Sequence, residues 1–156
     1  MRLKKDRAFS LVEMIVVVLW LGILAAIAVP RLNRAAISRN KAHTTARKIV
    51  TDLRLTHRLA ISHAADNTQG YELQMVPPLP YAKCRILDCN PPPTTVELFT
   101  IDSDVSVTCP VVPTFRFGPL GNLELGSGTK IIVSAEGKSF TISIIQATGA
   151  VKCVEN

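Results

Sequence analysis

Three regimes of hydrophobic and polar positions follow one another along the chain. The first is an unbroken apolar run over residues 14–29, MIVVVLWLGILAAIAV, sixteen residues without a charge. Extended back to Phe9 it reaches twenty-one residues and takes in Ser10 and Glu13. At about 1.5 Å of rise each, those residues would cover roughly 30 Å, the thickness of a bilayer's hydrocarbon core. In the second regime Leu32, Ala36, Ala42, Ala46, Ile49, Val50, Leu53, His57, Ala60 and Ile61 recur mostly three or four apart. That spacing predicts an amphipathic helix to about residue 64. It ends in Asp66-Asn67-Thr68-Gln69-Gly70, poor helix formers closed by a glycine suited to a left-handed cap. Pro30 interrupts the join between the two regimes, where a lost backbone hydrogen bond predicts a kink.

Beyond Gly70 the period changes to that of strands. Short β-rich runs over 71–76, 94–101, 105–108, 114–117, 131–135, 139–145 and 151–154 are separated by Pro, Gly and Asp. Glu136-Gly137-Lys138 reads as the turn of a hairpin. Six of the ten prolines fall in residues 77–93, PPLPYAKCRILDCNPPP, which reads as a stiffened surface loop. The expected fold class is therefore α+β: a long N-terminal α-helix, membrane-spanning in its first half, packed against a small antiparallel β-sheet head. The expected boundaries are a leader at 1–8, a transmembrane or filament-core helix at 9–30, its amphipathic continuation at 31–66, and a β-rich head at 67–156. A helix from 9 to about 64 would be on the order of 80 Å long, more than such a head can bury. Packing against copies of itself is its natural cover.

The formal charge of +6 invites a nucleic-acid reading, but its distribution weakens it. Arg2, Lys4, Lys5 and Arg7 face only Asp6 in the leader. Eight basic side chains face only Asp52 over residues 31–58, whereas from Leu59 onward six basic side chains meet nine acidic ones. The basic character thus belongs to the leader and the helix, and a head that is mildly acidic is a poor ligand for phosphates.

Four cysteines, Cys84, Cys89, Cys109 and Cys153, lie downstream of the apolar run and suggest two disulfides in an oxidising compartment. Zinc is the rival reading, although no C-x-x-C pair occurs and His43, His57 and His63 all sit on the helix. Of three possible connectivities, Cys84–Cys89 with Cys109–Cys153 is preferred, the first clipping the proline-rich loop into a small ring. No catalytic constellation, metal site or cofactor motif is found: there is no G-x-S-x-G, H-E-x-x-H or phosphate loop. An ordinary secretory signal with an A-x-A site at Ala26-Ile27-Ala28 remains an alternative, releasing a soluble periplasmic binding protein. Against it stand the length of the run, the carboxylate of Glu13 at its entry, and the helical pattern that continues past Ala28.

The stretch KKDRAFSLVEMIVVVLWLGILAAIAVP resembles the type IV prepilin signature, a basic leader before Phe-Thr/Ser-Leu-Ile/Val-Glu and an apolar span with a proline near its exit. The resemblance implies that a prepilin peptidase cuts between Ala8 and Phe9 and that Phe9 becomes N-methylated. Ala8 stands where the family usually has glycine. Glu13 and Pro30 then fall at the fifth and twenty-second mature positions, and Glu13 is implied to meet the Phe9 amine of a neighbouring subunit. ARKIVTDLRLTHRLAISHAADN, TFRFGPLGNLE and ATGAVKC further resemble the GspH and FimT class of type II secretion pseudopilins and type IV minor pilins. The implied function is a non-enzymatic filament subunit whose partners are the peptidase, other pilin or pseudopilin subunits and the inner membrane, with the leader cytoplasmic and the head periplasmic. Charge counting alone would favour the opposite orientation. Some FimT-like relatives bind DNA during uptake, but the matching end here, Gly149-Ala150-Val151-Lys152, carries a single cation.

Overall fold

The computed structural model describes residues 10–109 and 113–156, and within its helix the side chains of 28–35 lie outside that description. Two compact units divide the chain, Met1–Ile37 and Ser38–Asn156. Helix α1 is assigned over Leu11–Ser62, and its described side chains fall into stretches of about 17 and 27 residues. In the first unit residues 11–27 are exposed throughout. Glu13 places a carboxylate among them. No helix among the described residues is long and apolar enough to cross a membrane. This overturns the expected membrane-spanning half-helix and, with it, the single-pass inner-membrane placement.

The second unit is mostly strand. Among the described residues nine strands follow the helix: β1 Tyr71–Val76, β2 Lys83–Asp88, β3 Thr94–Thr100, β4 Ser106–Thr108, β5 Thr114–Phe117, β6 Leu123–Leu125, β7 Lys130–Ala135, β8 Lys138–Ile144 and β9 Val151–Glu155. They form two sheets, ordered β3-β2-β1-β5-β6 and β4-β7-β8-β9, antiparallel at every pairing. The expectation of one small sheet is thereby corrected to a larger, two-sheet β region. Strand residues alternate in burial, as in YELQMV of β1, because successive side chains point to opposite faces.

The proline-rich segment is also corrected. Its middle, KCRILD, is β2, hydrogen-bonded between β1 and β3, with Cys84, Ile86 and Leu87 buried. The prolines bracket a strand instead of stiffening a loop, which suits residues that cannot donate to a ladder.

The core is shared by the helix and both sheets. Ala42, Ala46, Ile49, Leu53 and Ala60 join Leu73, Met75, Phe115, Phe117, Ile131, Val133 and Ile142 in one buried cluster. Alanines on the helix allow close approach to the sheets, and larger side chains fill the space beyond them. After Ser62 the chain reverses through a turn built by Asn67. Its Oδ1 accepts from the N–H of Gln69 and Gly70 at 2.9 and 2.8 Å, and its Nδ2 donates to the Gly70 carbonyl and the Asp88 carboxylate. Gly70 has φ 74, and a Cβ there would lie 2.1 Å from the Phe117 carbonyl oxygen, so a side chain is excluded on both counts.

Candidate assembly interface

Residues 11–27 are the largest uncovered apolar surface described. Leu11, Leu19, Trp20 and Ile27 are 75%, 58%, 61% and 57% exposed, and Leu11, Met14, Ile15, Val18 and Leu19 line one shallow apolar groove along the helix. Their spacing of three and four is that of a single helical face. A surface of this kind, continuous and almost free of charge, marks a site of association. Glu13 lies exposed in the first turn, where the helix dipole favours a carboxylate. Ser10 accepts the N–H of Met14 through its carbonyl, and Ser10-x-x-Glu13 has the spacing of a capping box. That spacing, unnoticed in the sequence reading, offers Glu13 a local role at the helix start.

The other processing and assembly residues fare unequally. Ala8 and Phe9 lie outside the described residues, as does the side chain of Pro30, whose position falls inside α1. Comparison of the chain with protein-family models, curated proteins and solved structures finds no match.

The cysteines are held apart. Cys84 is buried near the start of β2 and Cys89 follows its end, so that five extended rises from one to the other span about 16 Å. A disulfide requires Cα atoms within about 7 Å, which rules out the preferred Cys84–Cys89 ring in this fold. Cys109 follows β4 and Cys153 lies on β9, with β7 and β8 between those strands. Three strand spacings put the two roughly 14 Å apart, and the second preferred pair fails for the same reason. Cys84, Cys89 and Cys153 are free thiols. Burial pushes the Cys84 thiol up to about 12, and it pushes Cys89 to about 11 with a further push from Glu72 against the pull of Arg116. Among the described residues no group of three or more His, Cys, Asp or Glu could hold a metal ion. His43, His57 and His63 instead pack on Phe140, Phe117 and Tyr71, with ring centroids 5.5 to 5.7 Å apart.

Two charged features escaped the sequence reading. Asp52 is almost wholly buried, and Lys48, one turn earlier, bridges it to Glu97 on β3 with both Nζ···O distances at 2.6 Å. Burial raises the Asp52 carboxyl above the ordinary carboxylate range, opposed by the hydrogen bond from Lys48. The signal was present: Asp52 is the one acid among the eight basic residues of 31–58, three residues after Ile49 on the apolar stripe. The second feature is a groove of about 450 Å³ between the helix and β9, floored by Ala46, Val50 and Phe140 and rimmed by Arg47, Arg54 and Cys153.

Proposed function

We propose that the chain is a structural subunit of a pilus-like filament, a minor pilin or pseudopilin of a type IV pilus or type II secretion system. Residues 11–27 would be buried against the same segment of neighbouring copies. The observation that carries this reading is the extent of that surface: thirteen large apolar side chains, from Leu11 to Ile27, exposed in one helical stretch. Burying a side chain of this size contributes about 1.5–3 kcal/mol, so covering even half of them stabilises the assembly by on the order of 10 kcal/mol per copy. Supporting it is the resemblance of residues 4–30 to the prepilin signature. On this reading a prepilin peptidase removes residues 1–8, Phe9 is methylated, and the chain performs no chemistry of its own. Mass spectrometry of the protein recovered from a sheared filament fraction tests it. The expected species begins at methylated Phe9 and co-sediments with other subunits; a recovered chain beginning at Val29, lacking the apolar segment, overturns it.

A further inference from the structure

The groove beside β9 lies wholly within Ser38–Asn156, so its occupancy is separable from whatever covers residues 11–27. Among the described residues β9 is an edge strand, paired with β8 on one side only. The parity of that pairing is fixed at both ends, where Ile145 N–H donates to the Ala150 carbonyl and Asn156 N–H donates to the Ser139 carbonyl. With Ile142 opposite Cys153, the even-numbered residues of β9 bond β8. Val151, Cys153 and Glu155 therefore turn their N–H and C=O groups to the open edge, where no described residue bonds them.

The same parity governs the side chains. Cys153 and Glu155 line the groove, facing Arg47 and Arg54 on the helix. Those two arginines form no ion pair with any described residue, whereas Glu155, the acid at the rim, is engaged by Lys138. An unpaired backbone edge thus runs beside a strip of uncompensated positive charge, and its floor of Ala46, Val50 and Phe140 is apolar. Each half of this arrangement is commonplace; their alignment on one groove specifies an occupant.

The geometry points to β9 as a docking edge for an extended peptide segment of a partner protein carrying carboxylates at alternate positions. Such a segment would add a strand beside β9, and the residues opposite Cys153 and Glu155 would project onto the groove side. Alternate residues of a strand stand about 7 Å apart, and Arg47 and Arg54 lie two helical turns, about 10 Å, apart. Flexible guanidinium groups span that difference and take carboxylates in bidentate fashion. Main-chain bonds would supply affinity and the two arginines the preference for acidic sequence.

A fluorescein-labelled eight-residue peptide alternating Glu and Thr is the probe, titrated by anisotropy against the full chain in detergent micelles. Saturable binding is expected, weakened about tenfold or more by Arg47→Glu/Arg54→Glu and by alternate N-methylation of the peptide backbone, and unchanged by Lys152→Ala. Cys153→Pro removes an outward N–H that β8 does not use and is expected to weaken binding likewise. Hydrogen exchange at the Cys153 and Glu155 amides is expected to slow in the complex. Absence of saturable binding overturns the inference. So does an N-methylated peptide that binds as well as its parent, or binding that leaves both amides unprotected, since either would reveal charge attraction without strand addition.

Discussion

Replacing Lys48 by methionine keeps the length of the aliphatic stem and removes the one cation that Asp52 contacts among the described residues. Deleting one partner of a fully buried pair typically costs 3–5 kcal/mol, because the other charge is left desolvated and alone. Here Asp52 is buried but Lys48 is about one-third exposed and also serves the half-exposed Glu97, so water reaches the cationic end. A cost of about 2 kcal/mol near pH 7 is the expectation, or roughly 6 °C in melting temperature. The sign of its pH dependence follows from Asp52. Burial already holds its folded pKa above the unfolded one, so the native state is penalised once pH rises through the unfolded value, and the penalty grows until the folded pKa is passed. Without Lys48 that folded pKa rises further. The variant's deficit should thus be largest at neutral pH and shrink as pH falls through the raised folded pKa toward the ordinary carboxylate value, where Asp52 takes up its proton in the native state. Urea titrations of wild type and Lys48→Met at pH 7 and pH 4 measure it, with Lys48→Met/Asp52→Leu as the paired control, expected to recover most of the loss. An equal deficit at both pH values, or no recovery in the double variant, would refute an origin in the Asp52 charge and leave the other lost contacts of the lysine, including the approach of its Nζ to the Phe99 ring.

Glu13→Gln preserves the hydrogen-bonding pattern of a capping box but not the charge, so it is expected to leave helix content unchanged by circular dichroism while reducing recovery of the subunit in sheared filaments. Wild-type recovery of both Glu13→Gln and Glu13→Leu would return Glu13 to a purely local role. Timed alkylation followed by peptide mapping should label Cys153 first, Cys89 more slowly and Cys84 last, in the order of their burial; a Cys84–Cys89 cross-link in native protein would contradict the extended geometry of β2. Gly149→Ala should destabilise the second unit by about 1–3 kcal/mol in thermal melts, because Gly149 has φ 64 and an added Cβ would meet the Gly121 carbonyl oxygen at 2.4 Å and the His57 ring at 2.5 Å.

Sequence periodicity located most elements, because it reports which face of an element meets a core. The helix stripe from Ala42 to Ala60 and strands such as β1 and β5 were legible in that way, and so was the reversal at Gly70, where the glycine has a mechanical reason to be present. β2 was not. Its six residues sit between proline clusters whose turn signal dominates any composition window, and its alternation is blurred by adjacent buried Ile86 and Leu87. β6, three residues long, is too short to show a period. The Cys84–Cys89 expectation failed because closeness in sequence was read as closeness in space, which a strand reverses. The groove beside β9 had no one-dimensional signal at all: Arg47 and Cys153 are brought together only by the order of strands in the second sheet.

That separation in sequence also bears on how the protein is made. The Arg39 side chain donates to the carbonyl of Glu136, and His43 packs on Phe140, so the helix completes its contacts with strands formed about a hundred residues later in the chain. Contacts this remote carry a large loop-closure cost before they are rewarded, which slows folding and defers it until the final strands are available. Throughout that delay a nascent chain displays two apolar surfaces together, the stripe around Ile49 and Leu53 that will become core and the segment 11–27 that never enters it. A ribosome that has finished the helix has thus produced both surfaces before the strands that cover one of them, and the speed with which β7 to β9 close over the Ile49 and Leu53 stripe sets how long it stays open.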